Sequence, residues 1–416
     1  MAVLGDYIKV KHGYAFKGEF FSTDDNGVVL ITPGNFAIGG GFKQDKCKFF
    51  TSLFPRDYVL HEDDLIVTMT DLSKNIDTLG YSALIPNSNR IYLHNQRIGL
   101  VQFLSDKLDK HYLYWFMRTK FYQKTIAGTS SGSTVHHTSP DRICAVEINP
   151  PDIVEQIKIA NILDNIENKI ANNHKINKNL EQQAQALFKS WFIDFEPFNG
   201  TMPSDWEFVH LEKIADFQNG YAFKSKELLN EPSPDCYQVF KQGHIARGGG
   251  FIPDGTKSWY PKSLAAKLEK YVLKKGDILM AMTDMKDNVA ILGNTAVMPL
   301  DNEYIVNQRV GHLRANGYKG VTYPFIYLLT NSTDFLVDLR SRANSGVQVN
   351  LSSSEIKASQ TVLPSEEVNN AFSEITLPMF EIIINNQLEN QRLAQLRDTL
   401  LPKLMSGEID VSALSL

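Results

Sequence analysis

The sequence predicts an α+β fold in which two pseudo-symmetric mixed α/β domains are separated by two long coiled-coil helices. The passage HGYAFKGEFF at His12–Phe21 returns as NGYAFKSKEL at Asn219–Leu228, which indicates an internal duplication. Short β-like runs broken by Gly, Asn and Asp fill each copy, and a long helical stretch closes it. A chain of 416 residues is too long for one ordinary core. Two globular domains, each followed by a helix, account for these observations.

The duplication extends through both copies. Besides the opening passage, the copies share a Gly-rich segment, a β-like run that ends in Met-Thr-Asp, an Asn-Gln-Arg tripeptide and a Ser/Gly-rich loop. The matched segments start at Ile31 and Phe240, Tyr58 and Tyr271, His94 and Val306, and Ser130 and Ala343. The predicted boundaries are 1–150 for the first domain, 151–194 for the first helix, 195–363 for a linker with the second domain, and 364–416 for the second helix and tail.

Two long helices are predicted from their flanking residues. The first begins after Pro150 and Pro151 and ends at Phe192, which gives about 60 Å at roughly 1.5 Å per residue. The second begins after Pro364. Between the first helix and the second domain, Phe195–Trp206 is rich in Pro, Gly, Asn and Ser, and it reads as a linker.

Both helices carry apolar residues at alternating spacings of four and three, which is typical of a coiled-coil seam. The seam positions are Ile166, Ile170, Asn173, Asn177, Leu180, Ala184, Leu187 and Trp191 in the first helix, and Met379, Ile383, Asn386, Asn390 and Leu393 in the second. Asn therefore falls at matched positions in both. Buried Asn in a seam lowers stability but fixes helix register. The alternative is two ordinary amphipathic helices, each packed on its own domain.

The composition bounds the class of protein. Hydrophobic residues make up 43% of the chain, and no apolar run approaches the roughly 20 residues that a transmembrane helix needs. The N-terminus MAVLGDYIKV lacks the features of a secretory signal, so we expect a cytoplasmic protein. The three cysteines form no C-x-x-C pair, which argues against a disulfide framework or a zinc site. With a net charge of −5, a DNA-binding face would need Lys and Arg concentrated on it.

No stretch predicts an active site. NPPD at Asn149–Asp152 resembles the Asn-Pro-Pro-aromatic motif of amino-group methyltransferases, but Asp152 replaces the aromatic residue, so the Pro pair is better read as the start of a helix. The glycines at 39–41 and 248–250 lack the Gly-Lys-Ser/Thr of a phosphate-binding loop. His136 and His137 lack further ligands at metal spacing. We therefore expect neither a cofactor nor a metal in this chain.

Three features together resemble one known family. They are the duplicated domain with GYAFK, a Pro-Pro-x-x-x-Glu-Gln-x-x-Ile motif that opens the first long helix, and a related helix at the C-terminus. The motif residues are Pro150, Pro151, Glu155, Gln156 and Ile159, and the second helix has Val368 and Asn369 at the Glu and Gln positions. Over essentially its whole length, the chain resembles the DNA specificity subunit of type I restriction-modification enzymes.

This resemblance implies that each globular domain is a target recognition domain for one half of a bipartite, asymmetric site in double-stranded DNA. The two long coiled-coil helices would pair antiparallel, set the gap between the half-sites and dock two methyltransferase subunits, with Glu155 and Gln156 among the docking residues. Endonuclease and translocase subunits would join the complex, and no membrane would be involved. The subunit itself would perform no chemistry, because S-adenosylmethionine, ATP and Mg would be used by the partners.

A duplicated reader of two different half-sites suggests a division of labour. Phosphate contacts position a protein without reading sequence, so residues identical in both copies are candidates for them, whereas base-reading residues should differ. The phosphate candidates are Lys17 with Lys224 and Arg97 with Arg309, and structural ion pairs are the alternative. The base-reading candidates are Lys43, Lys74, Asn75, Ser133, Thr134 and His136 in the first copy, and Arg247, Lys286, Asn288, Gln348 and Asn350 in the second.

Two further sets of identical residues are predicted to be structural. The Asn-Gln pairs at 95–96 and 307–308 are expected at a turn, since identity in both copies argues against base reading. The aromatic pairs, Tyr14 with Tyr221 and Phe16 with Phe223, are expected to pack in the core.

Two alternative functions stay open at this point. The chain could be a specificity subunit for a system in which methylation and cleavage reside in a single fused partner chain, which isolation of the native partners would decide. A fused, degenerate DNA methyltransferase-like enzyme built around NPPD is the alternative from a different class. Binding of a methyl-donor analogue to the isolated chain would support that second alternative.

Overall fold

The computed structural model of the chain describes residues 2–45, 47–71, 73, 76–132, 134–285, 289–345 and 348–412. The chain divides into two compact units. Unit 1 comprises Met1–Ile170 with Arg392–Leu416, and unit 2 comprises Ala171–Gln391. Each unit therefore contains one copy of the repeat together with a part of each long helix.

Unit 1 consists of short strands and helices followed by the first long helix. The strands are β1 (Ala2–Val3), β2 (Ile8–His12), β3 (Phe21–Ser22), β4 (Val28–Leu30), β5 (Lys48–Phe50), β6 (Val59–Leu60), β7 (Leu65–Thr68), β8 (Thr70–Asp71), β9 (Ser82–Leu84), β10 (Ile91–Leu93), β11 (Ile98–Phe103), β12 (His136–His137) and β13 (Glu147–Ile148). The helices are α1 (Lys110–Phe116), α2 (Lys120–Thr129), α3 (Pro140–Cys144) and α4 (Ile153–Phe192), which continues into unit 2. The bounds of α4 confirm the helix predicted from Ile153 to Phe192.

Unit 2 repeats this succession. Its strands are β14 (Glu207–His210), β15 (Ala215–Asn219), β16 (Cys236–Phe240), β17 (Trp259–Pro261), β18 (Ile278–Ala281), β19 (Thr283–Met285), β20 (Thr295–Val297), β21 (Tyr304–Val306), β22 (Val310–Ala315), β23 (Asn344–Ser345), β24 (Gln348–Asn350) and β25 (Gln360–Leu363). Its helices are α5 (Tyr323–Thr330), α6 (Thr333–Ser341), α7 (Ser353–Lys357) and α8 (Glu366–Met405), which continues into unit 1.

The two units share one sheet topology. A four-stranded sheet has the order β2-β11-β7-β9 in unit 1 and β15-β22-β18-β20 in unit 2. A second sheet contains a parallel pair in both units, β4 with β10 and β16 with β21. A further pairing joins β8 to β12 in unit 1 and β19 to β24 in unit 2. The predicted α+β fold with a duplicated domain is therefore confirmed.

The core of unit 1 forms where the repeat packs against both long helices. Trp115 of α1 is fully buried in it. Helix α4 contributes Ile159 and Leu163, and α8 with its tail contributes Leu404 and Val411. The two long helices thus stabilise the unit by burying apolar area on the sheet and the short helices.

The helix segments within unit 1 run antiparallel, as the family resemblance implies. Lys158 Nζ donates to the carbonyl oxygen of Ser412 at 2.7 Å, and Arg397 Nη1 donates to Glu167 Oε2 at 2.8 Å. Residues early in α4 therefore contact the end of α8 and its tail, and later residues of α4 contact earlier residues of α8.

The core of unit 2 contains a cluster of aromatic rings. Phe192 of α4 lies 4.8 Å from Phe372 of α8 and 5.2 Å from Phe325 of α5, measured between ring centroids. The predicted seam ends in Leu187 and Trp191, but the most buried side chains there belong to Phe188 and Phe192. The buried residues after Ala184 continue at spacings of four, where the predicted seam takes a spacing of three. An α-helix has 3.6 residues per turn rather than 3.5, so the buried stripe of a straight helix drifts by about 20° per heptad from a strict seven-residue repeat.

The predicted linker is ordered against unit 2. Phe195 and Asn199 adopt left-handed backbone conformations with φ of 53° and 58°, and these reverse the chain after α4. The rings of Phe195 and Phe198 then lie 5.9 Å and 4.9 Å from the buried Trp206. A segment rich in turn residues is therefore also a packed part of the domain, because its aromatic residues fill the core beside α4.

We expect the stability of unit 1 to depend on pH through His111. Its Nδ1 lies 2.6 Å from Asp164 Oδ2 of α4, and this carboxylate raises the pKa of His111 above its ordinary value of 6.5. Protonated His111 therefore stabilises unit 1 at low pH, and this contribution is lost as the pH rises past 6.5 and through the raised pKa. Hydrogen exchange of amides in β7 and β11 should show unit 1 opening more readily at the higher pH.

The matched control for this prediction is His111→Gln, which removes the titrating group. In the variant, the dependence of exchange on pH should become flatter once the intrinsic exchange rate is corrected for. A variant with the same pH dependence as the parent chain would show that the contact between His111 and Asp164 does not control it.

Candidate nucleic-acid interface

The glycine of GYAFK allows two backbone segments to touch. A Cβ atom on Gly13 would lie 2.1 Å from the carbonyl oxygen of Asn95, and one on Gly220 would lie 2.1 Å from that of Asn307. In each unit the next residue, Tyr14 or Tyr221, forms a β-bridge with this asparagine. The passage is therefore identical in both copies because it fixes the position of the segment that contains Asn-Gln-Arg.

The aromatic residues of GYAFK pack beside this contact. Phe16 is buried, and its ring lies 5.0 Å from Tyr14 and 4.9 Å from Phe50. In unit 2 the corresponding rings of Tyr221 and Phe223 are 5.1 Å apart. Core packing is confirmed for Phe16, but Tyr14 lies at the edge of this cluster, where 42% of its surface is exposed.

The Asn-Gln-Arg tripeptide forms the predicted turn in both units. In unit 1 it joins β10 to β11, and the carbonyl oxygen of Arg97 accepts a hydrogen bond from Met69 N at 2.9 Å. In unit 2 the carbonyl oxygen of Arg309 accepts from Met282 N at 3.3 Å. The Arg97 and Arg309 side chains are exposed, and among the described residues their guanidinium groups contact no carboxylate. Both are therefore free to bind phosphate.

The arginine turn lies beside the Ser/Gly-rich loop in each unit. In unit 1, the carbonyl oxygen of Met69 accepts from Thr138 N at 3.0 Å, and the adjacent β8 pairs with β12. In unit 2, Met282 accepts from Leu351 N at 2.9 Å, and β19 pairs with β24. The fold thus brings Arg97 near β12, and it brings Arg309 near Gln348 and Asn350 of β24, which are both exposed.

Of the two histidines in β12, the structure exposes the side chain of His137 rather than that of His136, which is the predicted base-reading candidate. His136 pairs with Asp71 as Val349 pairs with Asp284, so it occupies the inward position, and its Nδ1 is buried with no hydrogen-bond partner among the described residues. His137 occupies the position of Asn350 and is exposed. The alternation of side chains along a strand could have identified this residue, had the two-residue strand been predicted.

Several further candidates are exposed. Lys17 and Lys224 are exposed and form long contacts of 3.9 Å with Glu19 and 3.7 Å with Glu227. Exposed ion pairs of this kind contribute little to stability, so their ammonium groups stay available. The other exposed candidates are Lys43, 3.3 Å from Asp45, together with Thr134 and Arg247. Lys74, Asn75, Ser133, Lys286 and Asn288 lie outside the described residues.

Four asparagines pair across the two long helices inside unit 2. Asn173 Nδ2 donates to Asn390 Oδ1 at 2.9 Å, and Asn386 Nδ2 donates to Asn177 Oδ1 at 2.8 Å. Asn173 also donates to Glu389 Oε2 at 2.7 Å. Asn386 and Asn390 are the repeat counterparts of Asn173 and Asn177. Asn173 therefore bonds the counterpart of Asn177, and Asn177 bonds the counterpart of Asn173, which is the pattern of helix segments related by a two-fold axis. The seam contact predicted at these positions is therefore confirmed.

The side chain of Gln156 forms its hydrogen bonds with residues of unit 1. It is fully buried, its Oε1 accepts from Asp109 N at 2.8 Å, and its Nε2 donates to the carbonyl oxygens of Lys107 and Pro151 at 2.9 Å and 2.8 Å. Both amide donors are used, and the oxygen, which keeps one lone pair, is fully buried and out of reach of a partner. The expectation that Gln156 docks another subunit is therefore wrong, and the residue instead fixes the start of α4 on the domain.

Asn369 plays the same part in unit 2. Its Nδ2 donates to the carbonyl oxygens of Lys319 and Pro364 at 2.9 Å and 3.3 Å, the counterparts of the bonds made by Gln156. The departure from the family motif at this position therefore preserves the two donated bonds, whereas Oδ1 of Asn369 is buried and accepts no hydrogen bond from the described residues. Glu155 is half-buried and stays a docking candidate.

NPPD serves as the start of a helix. Asp152 Oδ1 accepts a hydrogen bond from Glu155 N at 2.9 Å, which caps the first turn of α4. Across the described ranges, no group of His, Cys, Asp and Glu side chains is placed to hold a metal ion. Neither long helix, nor any other helix in the described part of the chain, is apolar enough over a sufficient length to cross a bilayer.

The fold and this surface define a DNA-binding protein with two related recognition domains. Each domain presents an exposed arginine on a fixed turn beside loops whose sequences differ, as expected when phosphate contacts are shared and base contacts are not. The family described as the type I restriction modification DNA specificity domain matches residues 3–182 and 203–397. The chain belongs to this family, and the resemblance found in its sequence is confirmed.

Relatives and a solved structure agree with this assignment. The MjaIX specificity subunit of Methanocaldococcus jannaschii is 28% identical over 74% of this chain and 71% of its own length. The HindI specificity subunit of Haemophilus influenzae is 26% identical over 70% of this chain and 75% of its own. The crystal structure of a type I S subunit from M. genitalium has a TM-score of 0.61 and 18% identity, covering 97% of this chain and 94% of that one, which shows the shared fold. The chain is a specificity subunit, which is a non-catalytic component.

Proposed function

We propose that each unit reads one half of a bipartite, asymmetric site in double-stranded DNA, and that α4 and α8 set the length of the unread gap. The observation that carries this proposal is the placement of the exposed Arg97 and Arg309 on equivalent turns, each beside loops that differ between the units. Arg97, Arg309, Lys17 and Lys224 would contact phosphates. Their identity in both units gives each half-site the same docking geometry without imposing the same sequence.

Base reading is assigned to the divergent polar side chains. The hydroxyls, amides, imidazoles and cations of these residues can form hydrogen bonds to base edges in the major groove. For unit 1 they are Lys43, Lys74, Asn75, Ser133, Thr134 and His137, the exposed histidine of β12, which takes the place of the inward His136. For unit 2 they are Arg247, Lys286, Asn288, Gln348 and Asn350.

Assembly with the catalytic subunits is assigned to the long helices. Two methyltransferase subunits would dock there, and endonuclease and translocase subunits would join the complex, with S-adenosylmethionine, ATP and Mg used by these partners. Neighbouring apolar side chains stay exposed at the start of α4, namely Ile153, Val154 and Ile157, and they support this assignment. Exposed apolar side chains that lie together are typical of a protein interface, whereas single ones are not.

Methylome mapping tests the proposal. The chain is co-expressed with the methyltransferase subunit encoded beside it, in a host that lacks such systems, and modified adenines are mapped by single-molecule sequencing. We expect one bipartite motif with a fixed gap, and no such motif when either chain is omitted. A stable complex that modifies no bipartite motif would overturn the assignment.

Arg97→Ala and Arg309→Ala should each weaken DNA binding without changing the motif. A lost phosphate contact lowers the slope of log K against log salt by about 0.9. We therefore expect weaker binding at low salt and a shallower slope for each variant, measured by fluorescence anisotropy of the assembled complex. Arg90→Ala is the matched control, since Arg90 precedes β10, at the end opposite to Arg97, and pairs with Asp25. A changed base preference in either half-site would contradict phosphate contact.

Lengthening the helices should lengthen the gap. The variant has seven residues inserted after Asn177 in α4 and seven inserted before Asn386 in α8. Because the seam repeats every seven residues, these insertions keep its apolar positions aligned. About 10 Å of added helix corresponds to roughly three base pairs at 3.4 Å each. The mapped motif should keep both half-sites and gain about that spacing. An altered half-site with an unchanged gap would contradict the ruler function, and the exposed Lys175→Ala variant serves as a control without insertion.

A further inference from the structure

The Asp that ends Met-Thr-Asp organises a loop in unit 1. Asp71 is buried, and its Oδ2 accepts hydrogen bonds from Thr78 N at 2.6 Å, Thr78 Oγ1 at 2.9 Å and Leu79 N at 3.0 Å. Its Oδ1 accepts from Ser73 N at 2.6 Å. One carboxylate thus ties together the two ends of the segment that leaves β8, and it satisfies backbone donors that would otherwise be buried without a partner.

Asp284 repeats this arrangement in unit 2, where the segment that it holds has a different sequence. Its Oδ2 accepts from three successive backbone amides, Ala290 N at 2.8 Å, Ile291 N at 2.7 Å and Leu292 N at 3.2 Å. Successive N–H groups that converge on one point form a concave site for negative charge, and here a carboxylate of the chain itself occupies it. The anchor is the same in both units although the sequences that it closes differ.

Each anchor residue lies between two loops. The backbone of Asp71 pairs with that of His136, and the backbone of Asp284 pairs with that of Val349, so the residue whose carboxylate holds the loop after Met-Thr-Asp is also paired through its backbone with the Ser/Gly-rich loop. Burial alone would raise the pKa of Asp71, but the hydrogen bonds from Ser73 and Thr78 lower it, which keeps the carboxylate charged. Charge-assisted bonds from backbone N–H groups are about twice as strong as neutral ones.

We propose that Asp71 and Asp284 are positioning residues for base reading, each setting the path of the recognition loops in its own unit and hence the base preference of one half-site only. This inference rests on the proposed function. The chain between the anchor points can vary in sequence without disturbing the scaffold, because all the closing bonds except the one from the Thr78 hydroxyl are made to backbone amides. Neither carboxylate needs to contact DNA itself.

The experiment compares Asp71→Ala, Asp284→Ala and the parent chain in the assembled complex with its methyltransferase. Methylation of the mapped site is measured against substrates with a single mismatch in one half-site. We expect Asp71→Ala to reduce discrimination in one half-site by about tenfold, since a good base contact contributes that much or more, and to leave the other half-site and the gap unchanged. Asp284→Ala should reduce discrimination by a similar factor in the other half-site, and it should leave the first half-site and the gap unchanged.

Two matched controls separate this result from a general loss of stability. Asp25→Ala removes a carboxylate that caps Gly27 N in a turn of unit 1, and Asp301→Ala removes one that caps Lys275 N in unit 2. Neither should change discrimination. Where an alanine variant does not fold, as judged by hydrogen exchange, Asp71→Asn and Asp284→Asn take its place, because Asn keeps the shape and one acceptor oxygen while losing the charge.

The outcomes are distinct. If the parent chain gives no bipartite motif, the proposed function fails. If the parent gives the motif but a folded Asp71 variant discriminates as the parent does, or changes both half-sites alike, the inference fails while the proposed function stands. Loss of discrimination confined to one half-site, and to opposite halves for Asp71 and Asp284, establishes the positioning role.

Discussion

Replacing Asp277 with alanine is expected to lower the free energy of unfolding of unit 2 by about 3 kcal/mol, because it leaves buried charged and polar groups unpaired. Asp277 is 2% exposed and Arg314 donates to it from Nε and Nη2, both at 2.7 Å. His312 Nε2 lies 2.9 Å from the same carboxylate. Arg314 is partly exposed and can regain water, which places the expected loss at the lower end of the range for buried ion pairs.

Unit 1 supplies the matched control, Asp64→Ala. Asp64 accepts from His61 N at 2.8 Å, as Asp277 accepts from Lys274 N at 2.7 Å, so both variants lose the same turn-closing bond. In unit 1, Leu100 stands at the strand position that His312 occupies in unit 2. Among the described residues, Asp64→Ala therefore removes no buried ion pair with this strand. The control should cost about 1 kcal/mol, the value of one hydrogen bond. Hydrogen exchange of β7 and β18 amides in the full chain measures both losses, and equal losses would contradict the prediction.

The effect of Asp277 should also depend on pH. Burial alone would raise the pKa of Asp277, but its contacts with His312 and Arg314 lower it below the ordinary 3.8. The stabilisation is therefore present above the ordinary value and is lost as the pH falls through the lowered one. The parent chain and Asp277→Ala should converge in strong acid and differ fully near neutral pH.

Gly13→Ala is expected to destabilise unit 1 by about 3 kcal/mol and to abolish reading of one half-site. The added Cβ would lie 2.1 Å from the Asn95 carbonyl oxygen, and because the obstacle is backbone, no side-chain movement relieves the clash. Overpacking of this kind typically costs about 1–3 kcal/mol, and rigid surroundings place it at the upper end. The strain falls on the turn that carries Arg97, so the loss of DNA binding should exceed that of Arg97→Ala.

Gly18→Ala is the matched control for this prediction. Gly18 follows the same passage, yet a Cβ atom there would meet no atom within 4 Å. Its variant should keep the stability and the methylation motif of the parent chain. Denaturant unfolding and methylome mapping of both variants in the assembled complex measure the two effects. A Gly13→Ala chain that keeps the motif would show that the Gly13–Asn95 contact does not position the arginine turn.

The sequence by itself determined the duplication, the α+β fold, the bounds of α4 and the matched asparagines of the seam. These features depend on local regularities: a repeated passage, alternating apolar spacings and Pro at the helix start. Such patterns can be recognised in the sequence alone, because helix periodicity and turn chemistry depend on a few neighbouring residues. For the same reason, the Asn-Gln-Arg turn was predictable from its recurrence in both copies.

Only the tertiary structure decided what individual polar residues do. Gln156 matches a family motif, yet its amide is consumed by Asp109, Lys107 and Pro151 within the domain. Nothing in the sequence marks Asp71 as a loop anchor except its identity in both copies. Its carboxylate accepts hydrogen bonds from Ser73 N and Leu79 N, which lie at the two ends of the following segment. Which of two adjacent histidines is outward depended on a two-residue strand paired with distant residues. Long-range pairing sets burial and hydrogen-bond partners, and burial decides whether a polar side chain holds the fold together or stays available to bind DNA.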